Sequence, residues 1–207
     1  MHLVQAKKYE AGIAVSVLDD LTVEEMLSIS INGNPYTMTM RTPGFEEELT
    51  RGILLSEDVY DGKENPDFSV LEENGQGYIT RVNVDIDPRL LGQGMATQRN
   101  LLSVTSCGMC GKYEADLALT GDRLVHQTDI APEHILKMFR TMAMQQENFR
   151  QTGGCHAAAL FRANGEMLVC REDIGRHNAV DKAIGHLLLQ QQLGEADCVL
   201  VSGRVSY

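Results

Sequence analysis

Residues 155–201, CHAAALFRANGEMLVCREDIGRHNAVDKAIGHLLLQQQLGEADCVLV, decide the fold. Cys155 to Phe161 and Glu166 to Cys170 are apolar runs of strand length, and Asn164-Gly165 between them is a hairpin signal. From about Asn178 to Leu193 the period changes. Val180, Ala183, Ile184, Leu187 and Leu188 fall on one face of a helix. Cys198 to Val201 is short and wholly apolar, as in a strand covered on both faces. Strands interleaved with helices predict an α/β sandwich.

Upstream, Pro132 to about Glu147 reads as a helix, with proline tolerated in the first turn. Its apolar face is Ile135, Met138, Phe139 and Met142, and the methionines read as core filling. Gly153-Gly154 ends that segment. Residues Asp87 to Asn100 are rich in Gly, Pro, Gln and Asn, which predicts a linker. A small N-terminal α+β domain over 1–95 and an α/β domain over 96–207 are therefore expected. In the first, Met26 to Asn32 and Tyr36 to Arg41 flank Asn32-Gly33-Asn34-Pro35 and predict a hairpin. Phe45 to Ser56 predicts a helix, with Leu49, Ile53 and Leu54 at helical spacing and Glu46 to Glu48 at its positive end. Val82, Val84 and Ile86 alternate with Asn83 and Asp85 as in a half-buried strand.

The 207 residues carry a formal net charge of -11, contain no tryptophan and are only 5% aromatic. Neither the charge nor the scarcity of stacking side chains suits nucleic acid, so no nucleic-acid partner is expected. No run approaches the length of a membrane span, and no basic-then-apolar leader opens the chain, so a cytoplasmic protein without a membrane role is expected. Five cysteines, two of them three positions apart, fit a reducing compartment better than a disulfide framework.

Three segments carry chemistry. In Ser106-Cys107-Gly108-Met109-Cys110-Gly111, two thiols at this spacing can ligate a metal, cycle as a disulfide, or supply a nucleophile and its helper. Gly108 and Gly111 open space around Cys110 for a bulky substrate. A zinc module would need two more ligands, and adjacent Cys155 and His156 on a strand point to opposite faces. A disulfide oxidoreductase would want a thioredoxin-like βαβ context, which the pattern lacks. In Thr152-Gly153-Gly154-Cys155-His156, the glycines predict a close backbone approach to a ligand, and His156 is either an acid–base group or a core histidine. Cys155, Cys170 and Cys198 read as buried small hydrophobes. In Arg171 to Lys182, Gly175 leads into a helix whose N-terminus, with Arg176 and Lys182, suits a phosphate. The alternative for that segment is a solvated charged loop.

SCGMCG (106–111), TGGCHAAALF (152–161), REDIGRHNAVDKAIG (171–185), VSGRVSY (201–207) and MRTPGFEEELTRGILLSE (40–57) closely resemble motifs of the FdhD family of formate dehydrogenase accessory sulfurtransferases, from about Asn32 to Tyr207. The resemblance implies a deaminase-like three-layer α/β sandwich beside the smaller N-terminal domain, commonly in a homodimer. It implies a sulfurtransferase that takes sulfur from a cysteine desulfurase as a persulfide. The acceptor is the molybdenum or tungsten bis-molybdopterin guanine dinucleotide cofactor of formate dehydrogenase. That cofactor is bound as substrate, with GDP as a partial mimic and no resident cofactor or metal. Cys107 is the expected carrier and Cys110 its relay. Gly153, Gly154, His156, Asp173, Gly175, Arg176, His177 and Lys182 are the expected cofactor-binding residues, Asp173 toward guanine N–H donors. Family chains continue past the position of Tyr207 with a tail that contributes to the cofactor surface, so a missing C-terminal part is expected. The pattern of a zinc nucleobase deaminase is absent from the sequence.

Overall fold

A computed structural model describes residues 2–95 and 130–204. The expected carrier pair Cys107 and Cys110, with Gly108 and Gly111, lies outside the described residues, as do 96–100 of the expected linker and Val205 to Tyr207.

The chain opens with a two-stranded sheet, β1 (His2–Glu10) against β2 (Ile13–Leu21), antiparallel. Next comes a four-stranded sheet of β3 (Glu25–Ile31), β4 (Asn34–Arg41), β5 (Asp67–Glu73) and β6 (Ile79–Asp85), in the order β4-β3-β6-β5. β3 pairs antiparallel with β4 and parallel with β6. The β3–β4 hairpin is the predicted one. Asn32 (φ 51°) and Gly33 (φ 76°) both take the left-handed conformation that a tight two-residue turn needs. Helix α1 (Glu46–Ser56) covers this sheet and buries Leu49 and Ile53 against Leu27, Ile29 and Val82. The expected linker is partly fixed: Gly92 and Gly94 donate backbone hydrogen bonds to the Val59 and Asp58 carbonyls, and Leu91 and Met95 pack on the first core. A proline- and glycine-rich stretch can thus be docked chain, since its glycines permit the close approach.

In the second half, α2 (Pro132–Gln145) and α3 (Glu147–Thr152) precede β7 (His156–Phe161) and β8 (Met167–Asp173); α4 (Arg176–Leu189) and β9 (Cys198–Val201) follow. The sheet order is β8-β7-β9, and β7 is antiparallel to both neighbours. Met138 and Met142 of α2 pack on Ala157, Ala159 and Phe161 from one side. Ala179, Ala183 and Leu187 of α4 pack on Ala158, Leu160 and Val169 from the other. The outcome is a mixed α/β protein whose second half is layered helix–sheet–helix, and Met138 and Met142 fill its core as expected. Ile135 and Phe139, read as core-facing, are instead exposed. The β7–β8 loop differs from a two-residue turn. Arg162 accepts from the Gly165 N–H and donates to the Glu166 carbonyl, and Gly165 (φ 83°) alone among the loop residues is left-handed, so the loop is longer by a bulge.

Helices α1 and α4 join the two halves at near-contact distance. A Cβ placed on Gly185 would lie 1.8 Å from the Glu48 carbonyl oxygen, and one on Gly52 would lie 2.0 Å from that of Asp181. Only glycine permits this approach. It leaves Asp181 partly buried beside Ser56, and burial pushes its carboxyl up to about 7. An acid whose folded value is raised keeps a proton that the unfolded chain releases near pH ~4. Its contribution to stability is therefore complete below that pH and is lost as pH rises toward 7. Asp181→Asn, which mimics the protonated form, is expected to stabilise the protein at pH 8 by about 2 kcal/mol, partial solvent access trimming the effect. At pH 4 it should change little. Denaturant titrations at the two pH values check this.

Candidate functional site

An open cleft of about 370 Å³ lies where α3, the start of β7 and the end of β9 meet. It is lined by Gln146, Phe149, Gly153, Gly154, Cys155, His156 and Ser202. The TGGCH segment builds its floor. Gly153 (φ 66°) ends α3 and donates to the Phe149 carbonyl at 2.7 Å, a conformation costly for any side chain. A Cβ on Gly154 would lie 2.9 Å from the Thr22 hydroxyl oxygen, so glycine is required by crowding. Thr22 also bridges Thr152 at 2.7 Å and meets the Cys155 sulfur at 3.4 Å, tying the root of the first hairpin to the cleft wall. The Phe149 wall is held by Glu172 of β8, whose carboxylate accepts the Asn148 and Phe149 backbone N–H groups, both at 2.8 Å.

His156 stands at the rim. Its Nδ1 lies 3.5 Å from the Ser202 hydroxyl, which already accepts the Ala157 N–H at 2.9 Å and so has its own proton to offer. A Cβ on Gly203 would lie 3.1 Å from His156 Nδ1 and 3.6 Å from the Cβ of Arg176. The Ser202-Gly203 turn thus runs between His156 and the first residue of α4. Helix α4 begins at Arg176, two residues earlier than the periodicity predicts, with Gly175 at its N-cap. Burial, with Arg176 beside it, holds the His177 imidazole below its ordinary range.

Gly153, Gly154, His156 and Arg176 are therefore brought to one place. Asp173 and Lys182 are not. Both are fully buried, at 0% and 1% exposure, and they pair with each other at 2.7 Å. The Asp173 carboxylate also accepts from Gly175 N (2.8 Å), Asn178 Nδ2 (3.1 Å) and Thr42 N (3.1 Å), and Lys182 donates to the Thr42 carbonyl at 2.7 Å. A ligand reaches neither charge without opening that pair. Gly175 serves the same junction, where a Cβ would meet Asn178 Nδ2 at 2.9 Å. Asn178 Nδ2 and the Thr42 hydroxyl continue it to the Met40 carbonyl and the Ile174 N–H. The acidic and basic residues of the segment thus join β8, α4 and the end of β4, while Arg176 begins α4 beside the Ser202-Gly203 turn. Gln146, Phe149 and Ser202 are cleft residues that the pattern did not single out. Only the small Ser202-Gly203 pair directly after an apolar strand carried a signal.

The three described cysteines are free thiols. Burial raises all three above the ordinary thiol range, Cys170 to about 11. Among the described residues no three His, Cys, Asp or Glu side chains converge as a metal site would require, and no helix is long and apolar enough to cross a membrane.

The FdhD/NarQ family model matches residues 22–207. The chain belongs to the FdhD/NarQ family. A relative from Mycolicibacterium paratuberculosis named sulfur carrier protein FdhD is 40% identical over 95% of this chain and 75% of its own length. Proteins of the same name from Streptomyces avermitilis and Sulfolobus acidocaldarius are 38% and 35% identical, covering 91% and 99% of this chain and 70% and 76% of theirs. A crystal structure from Desulfotalea psychrophila, described as a formate dehydrogenase accessory protein, superposes with a TM-score of 0.65. It is 20% identical over 98% of this chain and 74% of that one, a likeness of fold.

Proposed function

We propose that the protein is a sulfur carrier that supports formate dehydrogenase maturation in the cytoplasm, with Cys107 as the carrier. The observation behind this reading is the family membership of a chain that holds one closely spaced thiol pair. The raised thiols of Cys155, Cys170 and Cys198 add support, since each is held as the poorly nucleophilic thiol at neutral pH. The donor is a cysteine desulfurase. The Cys107 thiolate attacks the outer sulfur of the donor's persulfide, the donor's S–S bond breaks, and its cysteine departs as thiolate. Cys110 then attacks the inner sulfur of the Cys107 persulfide. A Cys107–Cys110 disulfide forms, which supplies two electrons, and the outer sulfur leaves as hydrosulfide to the metal of the acceptor cofactor.

The acceptor is molybdenum bis-molybdopterin guanine dinucleotide, bound in the deaminase-like second half as substrate. The cleft suits one of its dinucleotide tails. Gly153 and Gly154 bare the backbone, and Arg176 begins helix α4 near His156, where a pyrophosphate is favoured. Restoration of formate dehydrogenase activity in a host lacking its own carrier tests the reading. A chain that folds there and restores none would overturn it. For the nucleotide tail, Arg176→Ala is expected to weaken GDP binding about tenfold or more in calorimetry. Unchanged affinity would remove Arg176 from the site.

A further inference from the structure

The β1–β2 hairpin precedes the residues that match the family model. It forms a sheet of its own, with no third strand among the described residues. Ala11 (φ 50°) and Gly12 (φ 81°) make its tight tip. Two nine-residue strands with no further partner are marginal in water, and here they show apolar side chains on both faces. One face carries Leu3, Tyr9 and Leu18, at 66%, 73% and 69% exposure. The other carries Ile13, Val15 and Leu21.

The charges indicate what covers this surface. Lys7 and Lys8 sit toward the tip of β1, and Asp19 and Asp20 sit at the root of β2. Within one hairpin they are not opposed. Lys7 lies across from Ser16 and Lys8 from Val15, while Asp19 and Asp20 lie across from Val4 and Leu3. Four residues of strand put Lys7 and Asp20 about 13 Å apart. Lys7, Asp19 and Asp20 make no ion pair among the described residues, and Lys8 reaches only the exposed Glu10. A second hairpin laid antiparallel, tip beside root, brings each basic half against an acidic half. Laid face to face, it also covers Leu3, Tyr9 and Leu18. The same surface serves both molecules, as a two-fold interface requires.

We propose that the β1–β2 hairpin is a dimerisation arm whose occupant is the same hairpin of a second copy of this chain. This locates the interface of the homodimer that family resemblance implies, and it stands apart from the sulfur-carrier reading. The test is sedimentation equilibrium of the full chain. The wild type is expected to dimerise at micromolar concentration, and Leu18→Asp, at an exposed position, to raise the dissociation constant at least a hundredfold. Lys7→Glu and Asp20→Lys should each weaken association about tenfold, and the two together in one chain should restore it. Carbodiimide treatment of mixed isotope-labelled and unlabelled protein should join Lys7 or Lys8 of one copy to Asp19 or Asp20 of the other. A monomeric wild type overturns the proposal. So does a dimer that Leu18→Asp and the charge reversals leave unchanged, which would place the interface on another face. Neither result would bear on Cys107.

Discussion

Cys107→Ser is expected to abolish activation of formate dehydrogenase, lowering it on the order of a thousandfold or more, as loss of a covalent nucleophile does. A serine hydroxyl stays protonated at neutral pH and cannot hold a sulfane sulfur as a leaving group. Cys110→Ser has a different signature. The persulfide still loads on Cys107, but the intramolecular thiolate that releases its outer sulfur is gone, so transfer slows while loading persists. Cys198→Ser is the control. That thiol is raised by burial beside Asp197, lies outside the cleft, and has no part in the transfer. Formate dehydrogenase activity in a carrier-deficient host, with parallel mass analysis of loading, separates the three cases. Normal activation by Cys107→Ser would remove the mechanism.

The second large effect belongs to Asp173. Truncating it to Ala strands the Lys182 ammonium in the interior and breaks the junction that Gly175, Asn178 and Thr42 share. Loss of one partner of a buried pair costs about 3–5 kcal/mol. In a chain of this length that lowers the melting temperature by roughly 10 °C. Replacing both members by apolar residues, Asp173→Leu with Lys182→Met, should cost less than Asp173→Ala, because no charge is left unpaired. Calorimetric melting of the three variants decides the matter. A single variant that melts like the wild type would show that the pair does not hold the halves together. The start of α4 hangs from this junction, so Asp173→Ala should also weaken GDP binding through Arg176 without Asp173 touching the ligand.

That case shows where sequence reading reached its limit. Asp173, Arg176 and Lys182 sit within ten residues, all charged, and composition could not divide them. The division comes from a tertiary partner just after β4, more than a hundred residues away. The Thr42 N–H and carbonyl take the charges of Asp173 and Lys182 inward, and Arg176 begins α4 beside the Ser202-Gly203 turn. Period and turn chemistry, being local, were read correctly where local forces decide. Asn32-Gly33 gave its tight turn, the small and branched residues of 157–161 gave β7, and Met138 and Met142 faced the core. The α3 turn was not legible, because ENFRQT is too short for periodicity and is held from outside by Glu172. Nor was the closeness of α1 and α4 legible. A helical glycine such as Gly52 or Gly185 reads as a weak point until the opposing backbone is seen.

The claim at the centre is that Cys107 carries the sulfur. It is met most directly by incubating the full chain with a cysteine desulfurase and cysteine, trapping thiols by alkylation, and mapping added sulfur by peptide mass. The account predicts a gain of one sulfur on the peptide holding Cys107, lost on reduction and absent in Cys107→Ser, with Cys155, Cys170 and Cys198 unloaded. Sulfur found on one of those three, or loading that survives Cys107→Ser at full level, would contradict it.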